Sequence, residues 1–221
     1  MGLDLYVGSL TRYYMGSPVA VIEQMARQQR VPYAIVHDAR GPDSGQEFEP
    51  VVRSAALAWR EGLRQQLDGR LDEPLDWDES PGGPCYTDKP GWDAYGGVLL
   101  LAAHQEYPEL PLPHEVSADW ADDPAYLASL ETGSGSRFDQ VLIPDLWLPC
   151  RFGFTFRTRD LTGQEIEVGS IAMLRTQLEA LRAAHHADPS PLAVIAHRAL
   201  AVIRRMADRA TRHGLPMKLD F

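Results

Sequence analysis

Cysteine is almost missing from this chain: Cys85 and Cys150 are the only two among 221 residues. Two thiols do not make a disulfide framework, so a reducing, cytoplasmic setting is expected. No apolar run approaches the roughly 20 residues that cross a bilayer, and the best candidate, Gly97 to Ala103, is far too short. The opening Met1-Gly2-Leu3-Asp4 has neither the basic region nor the apolar stretch of a signal peptide. Catalytic signatures are missing too. There is no Gly-x-x-x-x-Gly-Lys-Ser/Thr loop, no Gly-x-Gly-x-x-Gly turn and no Gly-x-Ser-x-Gly elbow. His-Glu-x-x-His and paired Cys-x-x-Cys are absent, so no metal and no cofactor is expected. Bases are sparse, 21 against 31 acids, and only Lys89 and Lys218 are lysines.

What is present is an ordinary globular composition with an uneven charge layout. Hydrophobic residues make up 44% and charged residues 24%, enough apolar material for one domain with a sizeable core. From Asp68 to Glu131 there are fifteen acids against two bases, Arg70 and Lys89. From Ser190 onward six bases face two acids. The negative field of the middle third repels phosphate backbones and attracts basic partners. Its plain reading is a solvated acidic face; its sharper reading is a docking surface for a basic protein.

Period and punctuation set the expected elements. Leu3, Leu5 and Val7 alternate with polar neighbours as in a strand. Ser17-Pro18 opens a helix to about Gln29, Val31 to Val36 suits a second strand, and Gly41 to Pro50 is turn-rich. An apolar stripe from Val52 to Leu67 predicts a second helix. Trp92 to Glu106 reads as a buried helix, Asp122 to Leu130 as a short one, and Gly133 to Ser136 as an exposed loop. Leu146, Leu148, Cys150, Phe152, Phe154 and Phe156 hold strict period two, predicting one long strand that a turn at Asp160 to Gly163 folds into a hairpin. Ser170 and Ser190-Pro191 cap two last helices, the second running to about His213 and closed by Gly214. The expected fold is a single α+β domain with a mixed sheet, an antiparallel hairpin near 146–168 and five or six helices. An irregular acidic and aromatic segment, 68–131, and a basic helix, about 191–213, complete it.

Candidate functional residues concentrate in the irregular segment. Asp76-Trp77-Asp78-Glu79 places two carboxylates two residues apart, able on an extended backbone to share a divalent cation, although exposed loop acids are the ordinary case. Cys85, in Cys85-Tyr86-Thr87-Asp88-Lys89-Pro90, is a reactive-thiol candidate if Lys89 lies beside it, with His104 or His114 as base. Cys150 falls on the inward face of the long strand and belongs to the core. Trp77, Tyr86, Trp92, Tyr95 and Trp120 sit among the acids, the make-up of a binding surface with rigid anchors and a polar rim. The same rings would also serve to pin a long loop. The binding set is therefore Asp76, Trp77, Asp78, Glu79, Tyr86, Asp88, Lys89, Trp92 and Asp93. No pattern nominates a catalytic residue.

Four stretches resemble an uncharacterised family of bacterial cytosolic proteins: Met1 to Tyr14 (MGLDLYVGSLTRYY), Leu75 to Glu79, Tyr86 to Pro90 and Asp145 to Cys150. The resemblance spans most of the chain and implies a bacterial source; it carries no activity.

The expected function is that of a non-enzymatic cytosolic binding protein of bacterial conflict, an immunity or toxin-neutralising protein whose acidic, Trp-rich surface masks a basic protein. Two alternatives stand beside it. One is a hydrolase or metal-dependent enzyme with its site in 76–93. The other is an accessory subunit of a defence system whose basic last helix touches nucleic acid. No membrane contact is expected, nucleic acid is expected only through that helix, and the oligomeric state is not fixed by the sequence.

Overall fold

Six short segments are joined into one mixed sheet. The computed structural model describes residues 3–32, 44–71, 73–185 and 190–220. Its strands are β1 (Asp4–Val7), β2 (Tyr86–Asp88), β3 (Leu146–Leu148), β4 (Phe156–Arg159), β5 (Glu165–Ser170) and β6 (Met217–Asp220), in the order β2-β1-β6-β3-β5-β4. Only β3 and β5 pair parallel; every other neighbour is antiparallel. Leu5, Val7, Trp147, Met217 and Leu219 point into one core, and Leu146, Leu148, Ile166 and Val168 into another on the opposite face.

Eight α-helices among the described residues cover the two faces. On one side lie α1 (Leu10–Tyr14), α2 (Pro18–Gln29) and α3 (Ser44–Gln66); the other carries α4 (Trp92–Glu106), α5 (Pro124–Thr132), α6 (Asp139–Leu142), α7 (Ile171–His185) and α8 (Pro191–His213). Every residue of α4 from Ala94 to His104 is buried, as befits a helix that is apolar all round. Gly97 lets α8 approach closely: a Cβ there would sit 3.3 Å from that of Ala196. Helix α8 is amphipathic and capped as expected, with Ser190 Oγ accepting from Ala193 N–H and Gly214 left-handed at φ +59°.

The α+β class and the mixed sheet match expectation, and the differences are local. The long strand expected over 146–156 breaks: pairing stops at Leu148, next to Pro149, and resumes at Phe156. Phe152, Phe154 and Phe156 keep the alternation but pack on one another, with ring centroids 5.1–6.1 Å apart. The hairpin is β4–β5, and Asp160 Oδ1 organises its turn by accepting from Thr162 N–H and hydroxyl and from Gln164 N–H. Helix α3 begins at Ser44, inside the turn-rich stretch, and contains Pro50. Gly133–Gly135 forms a 3-10 turn rather than an open loop, and buried Ser136 donates its hydroxyl to Glu106 Oε1 at 2.6 Å. The strand expected at 31–36 lies largely outside the described residues.

Candidate functional site

The acidic segment is divided between two places. Residues 76–80 lie against α3, in a recess of about 410 Å³ lined by Arg53, Leu57, Arg60 and the 76–79 side chains. Asp76 is exposed and pairs with Arg60 Nη1 at 2.6 Å. Asp78 is exposed and closes a local turn, accepting from Ser80 N–H and hydroxyl, which holds its carboxyl below the usual aspartate range. Trp77 is only 5% exposed and belongs to the core, with the Arg60 guanidinium 5.4 Å from its ring centre.

Glu79 is 3% exposed. Its Oε2 accepts from Thr11 N–H and Thr11 hydroxyl, both at 2.7 Å, and its Oε1 accepts from Leu10 N–H and the Trp77 indole N–H. This carboxylate satisfies the free amides at the start of α1 from 68 residues away. Trp77 and Glu79, expected on a docking surface, are instead internal parts of the fold.

Residues 86–93 follow the opposite course, along the β2 edge toward α8 and α4. The Tyr86 hydroxyl lies 2.9 Å from His213 Nε2, and the Arg209 guanidinium stacks 4.7 Å from its ring centre. Asp88 accepts from Arg205 Nη2 at 2.6 Å, which lowers its carboxyl from the ordinary value. Lys89 Nζ reaches Asp4 Oδ1 at 3.2 Å. Register separates the proposed thiol pair. Tyr86 lies opposite Val7 and Asp88 opposite Leu5, so half-buried Cys85 and exposed Lys89 flank opposite ends of β2, about 13 Å apart along the strand. The described residues contain no group of three His, Cys, Asp or Glu able to hold a metal ion. Burial pushes the Cys150 thiol up to about 12, as suits a core cysteine.

A run of exposed acids lies further along the chain. Trp92 and Asp93 open α4 and are exposed, Trp92 by 46%. The Trp92 ring stands 5.3 Å from that of buried Trp120, which in turn meets Tyr126 at 5.5 Å and Tyr95 at 6.4 Å. Gly96 makes room for this stack, since a Cβ there would lie 2.6 Å from Trp120 Nε1. The rings thus anchor the irregular 107–122 stretch on α4. Asp123 then starts α5 by accepting from Ala125 N–H at 2.9 Å and Tyr126 N–H at 3.2 Å, and also faces buried His104 Nε2 at 3.2 Å. Held at its first turn by Asp123 and at its middle by Tyr107, whose hydroxyl donates to Ala128 O, α5 turns Leu127 and Leu130 outward. They are 45% and 40% exposed, three residues apart, and therefore on one face.

Between Pro90 and Ser136 there is no lysine or arginine. Asp93, Glu109, Glu115, Asp119, Asp122 and Glu131 are all exposed there, together with Trp92, Leu112, Leu127 and Leu130. Sequence reasoning placed Trp92 and Asp93 on this surface and missed the α5 leucines, whose outward face is set by the Asp123 cap and the Tyr107 tie. A polar layer lies beneath α1. Tyr14 donates to Asp160 Oδ2 at 2.8 Å, and Lys218, buried in a central strand, lies 5.4 Å from the Tyr13 ring centre. Burial first, then Asp160, raises the Tyr14 hydroxyl well above its usual range. The alternation of Met217 and Leu219 with Lys218 and Asp220 was the available signal for β6.

No helix among the described residues is long and apolar enough to cross a membrane. No family model matches the chain, and neither a curated protein nor a solved structure matches it.

Proposed function

We propose that this protein is a non-enzymatic binding protein that captures a basic protein on the surface formed by the first turn of α4, residues 107–122 and α5. One observation carries the reading: six exposed acids and four exposed large apolar side chains share a 47-residue stretch free of lysine and arginine. Apolar anchors with an acidic surround are what a basic partner with an apolar centre requires. The charge speeds encounter and selects the partner, and the leucines and Trp92 supply area that excludes water. Neutralising a basic toxin, as an immunity protein does, is the activity such a surface would serve.

The test is a pull-down from lysate of the source organism at low and moderate salt, with wild type beside Asp93→Lys/Asp119→Lys/Asp122→Lys and Leu127→Asp/Leu130→Asp. The reading requires one basic protein held by wild type, weakened by salt and lost from both variants. Equal retention by both variants, or no retained basic protein, overturns it. Substitutions at Asp76, Asp78 and Glu79 would not serve, because Glu79 is a buried part of the fold.

A further inference from the structure

The C-terminal helix carries a second charged surface, of opposite sign. Arg198, Arg205, Arg209 and Arg212 fall within a sector of about 60° on α8 and along about 20 Å of its length. Around them is a shallow recess of about 450 Å³ lined by Ala201, Arg204, Arg205, Asp208, Arg209 and Arg212. The one acid in that lining, Asp208, is itself paired with Arg175 Nε at 3.0 Å. Arg204 turns to the opposite flank, where Glu179 holds it at 2.6 Å. Two guanidiniums in the row are held in place: Arg205 by Asp88 at 2.6 Å, and Arg209 against the Tyr86 ring. Arg198 and Arg212 are exposed.

We infer that this face of α8 binds the phosphate backbone of a nucleic-acid strand. The row is straight, held in place at Arg205 and Arg209, and longer than any single phosphate, so its charges match a polymer of repeated phosphates better than a small anion. A lipid surface fits less well. A membrane-lying helix must offer its apolar face to the bilayer, whereas the apolar face of α8, from Leu192 to Ala210, is buried against α4, α7 and the sheet. Guanidinium groups also suit phosphate oxygens through paired N–H donors. The acidic surface of the proposed function is made by other elements, so this site stands whether or not that reading holds.

Fluorescence anisotropy with a labelled single-stranded oligonucleotide of about 20 residues tests the inference, with wild type beside Arg198→Glu/Arg212→Glu, whose exposed positions leave the fold intact. Engagement of three phosphates gives a log–log salt slope near −2 and a loss of roughly 15–20-fold between about 50 and 200 mM salt. The double variant should bind about tenfold or more weakly, with a shallower slope. No wild-type binding at about 50 mM salt, or salt-dependent binding that the variant leaves unchanged, overturns the site. Displacement by polyglutamate as readily as by unlabelled oligonucleotide overturns the phosphate assignment. Tighter binding to phosphatidylserine vesicles than to the oligonucleotide overturns the choice of nucleic acid over membrane.

Discussion

The two faces of the sheet are closed in different ways. On the α4–α8 side, helices that are apolar or small at the contact pack directly, as Gly97 on Ala196 and the all-buried middle of α4 show. On the α1–α3 side, helices and loops are tied by polar groups from distant parts of the chain. Glu79 holds α1, Tyr14 donates to Asp160, the Trp59 indole N–H donates to Arg159 O at 2.7 Å, and Arg70 covers the Phe154 ring at 4.2 Å. The first kind of closure gives a firm platform whose outer surface is free to carry charge. Both charged surfaces, acidic on α4–α5 and basic on α8, lie on that side.

This contrast can be broken at its strongest polar tie. Glu79→Ala leaves two amides, a hydroxyl and an indole N–H buried without their acceptor, and should cost about 4 kcal/mol. For a chain of this length that lowers Tm by roughly 8–16 °C. Glu79→Gln, which keeps one acceptor oxygen, should lose about half as much. A Glu79→Ala protein as stable as wild type in chemical denaturation contradicts the tethered face. On the packed face, Leu100→Ala should cost about 3 kcal/mol through the cavity it leaves in α4. A loss below about 1 kcal/mol would mean that this face is loosely packed.

A third probe concerns Asp139, a buried acid of the packed face. Burial raises the carboxyl of Asp139 above its ordinary range, against the Gln177 Nε2 donation at 2.7 Å that lowers it. The folded state therefore holds this proton more tightly than the unfolded chain does. Ionised Asp139 costs stability at neutral pH, and the cost fades as pH falls through the raised value toward about 3.9. Asp139→Asn keeps an acceptor for Gln177 and should remove that part of the stability-versus-pH curve; an unchanged curve would rule out burial as its cause. The smallest effect is expected at Trp59→Phe. It gives up one hydrogen bond to the edge strand β4, about 1 kcal/mol, read by chemical denaturation; a loss several times larger would make this tie a second Glu79.

The same contrast explains what could be read from the sequence. Helices α4, α5, α7 and α8 and strand β1 follow from hydrophobic period and from caps such as Ser190-Pro191 and Gly214, because their partners are general apolar surface. The five-residue α1 and the three-residue β2 depend on long-range partners that no local pattern encodes, whereas the break after Leu148 falls at Pro149. The site divides likewise. Exposed Trp92 and Asp93 were legible as an acidic aromatic surface, while Glu79 looks the same as Asp78 in sequence and differs only through Leu10, Thr11 and Trp77. Cys85 and Lys89 are four residues apart in the chain, yet the strand between them holds them at its two ends.

Hydrogen exchange on the complex with the captured basic protein tests the central claim most directly. The account predicts slowed exchange at residues 92–93, across 107–122 and along α5, with residues 76–80 and the α8 face unchanged. Protection confined to 76–80 or to α8, with α5 exchanging as in the free protein, would contradict it.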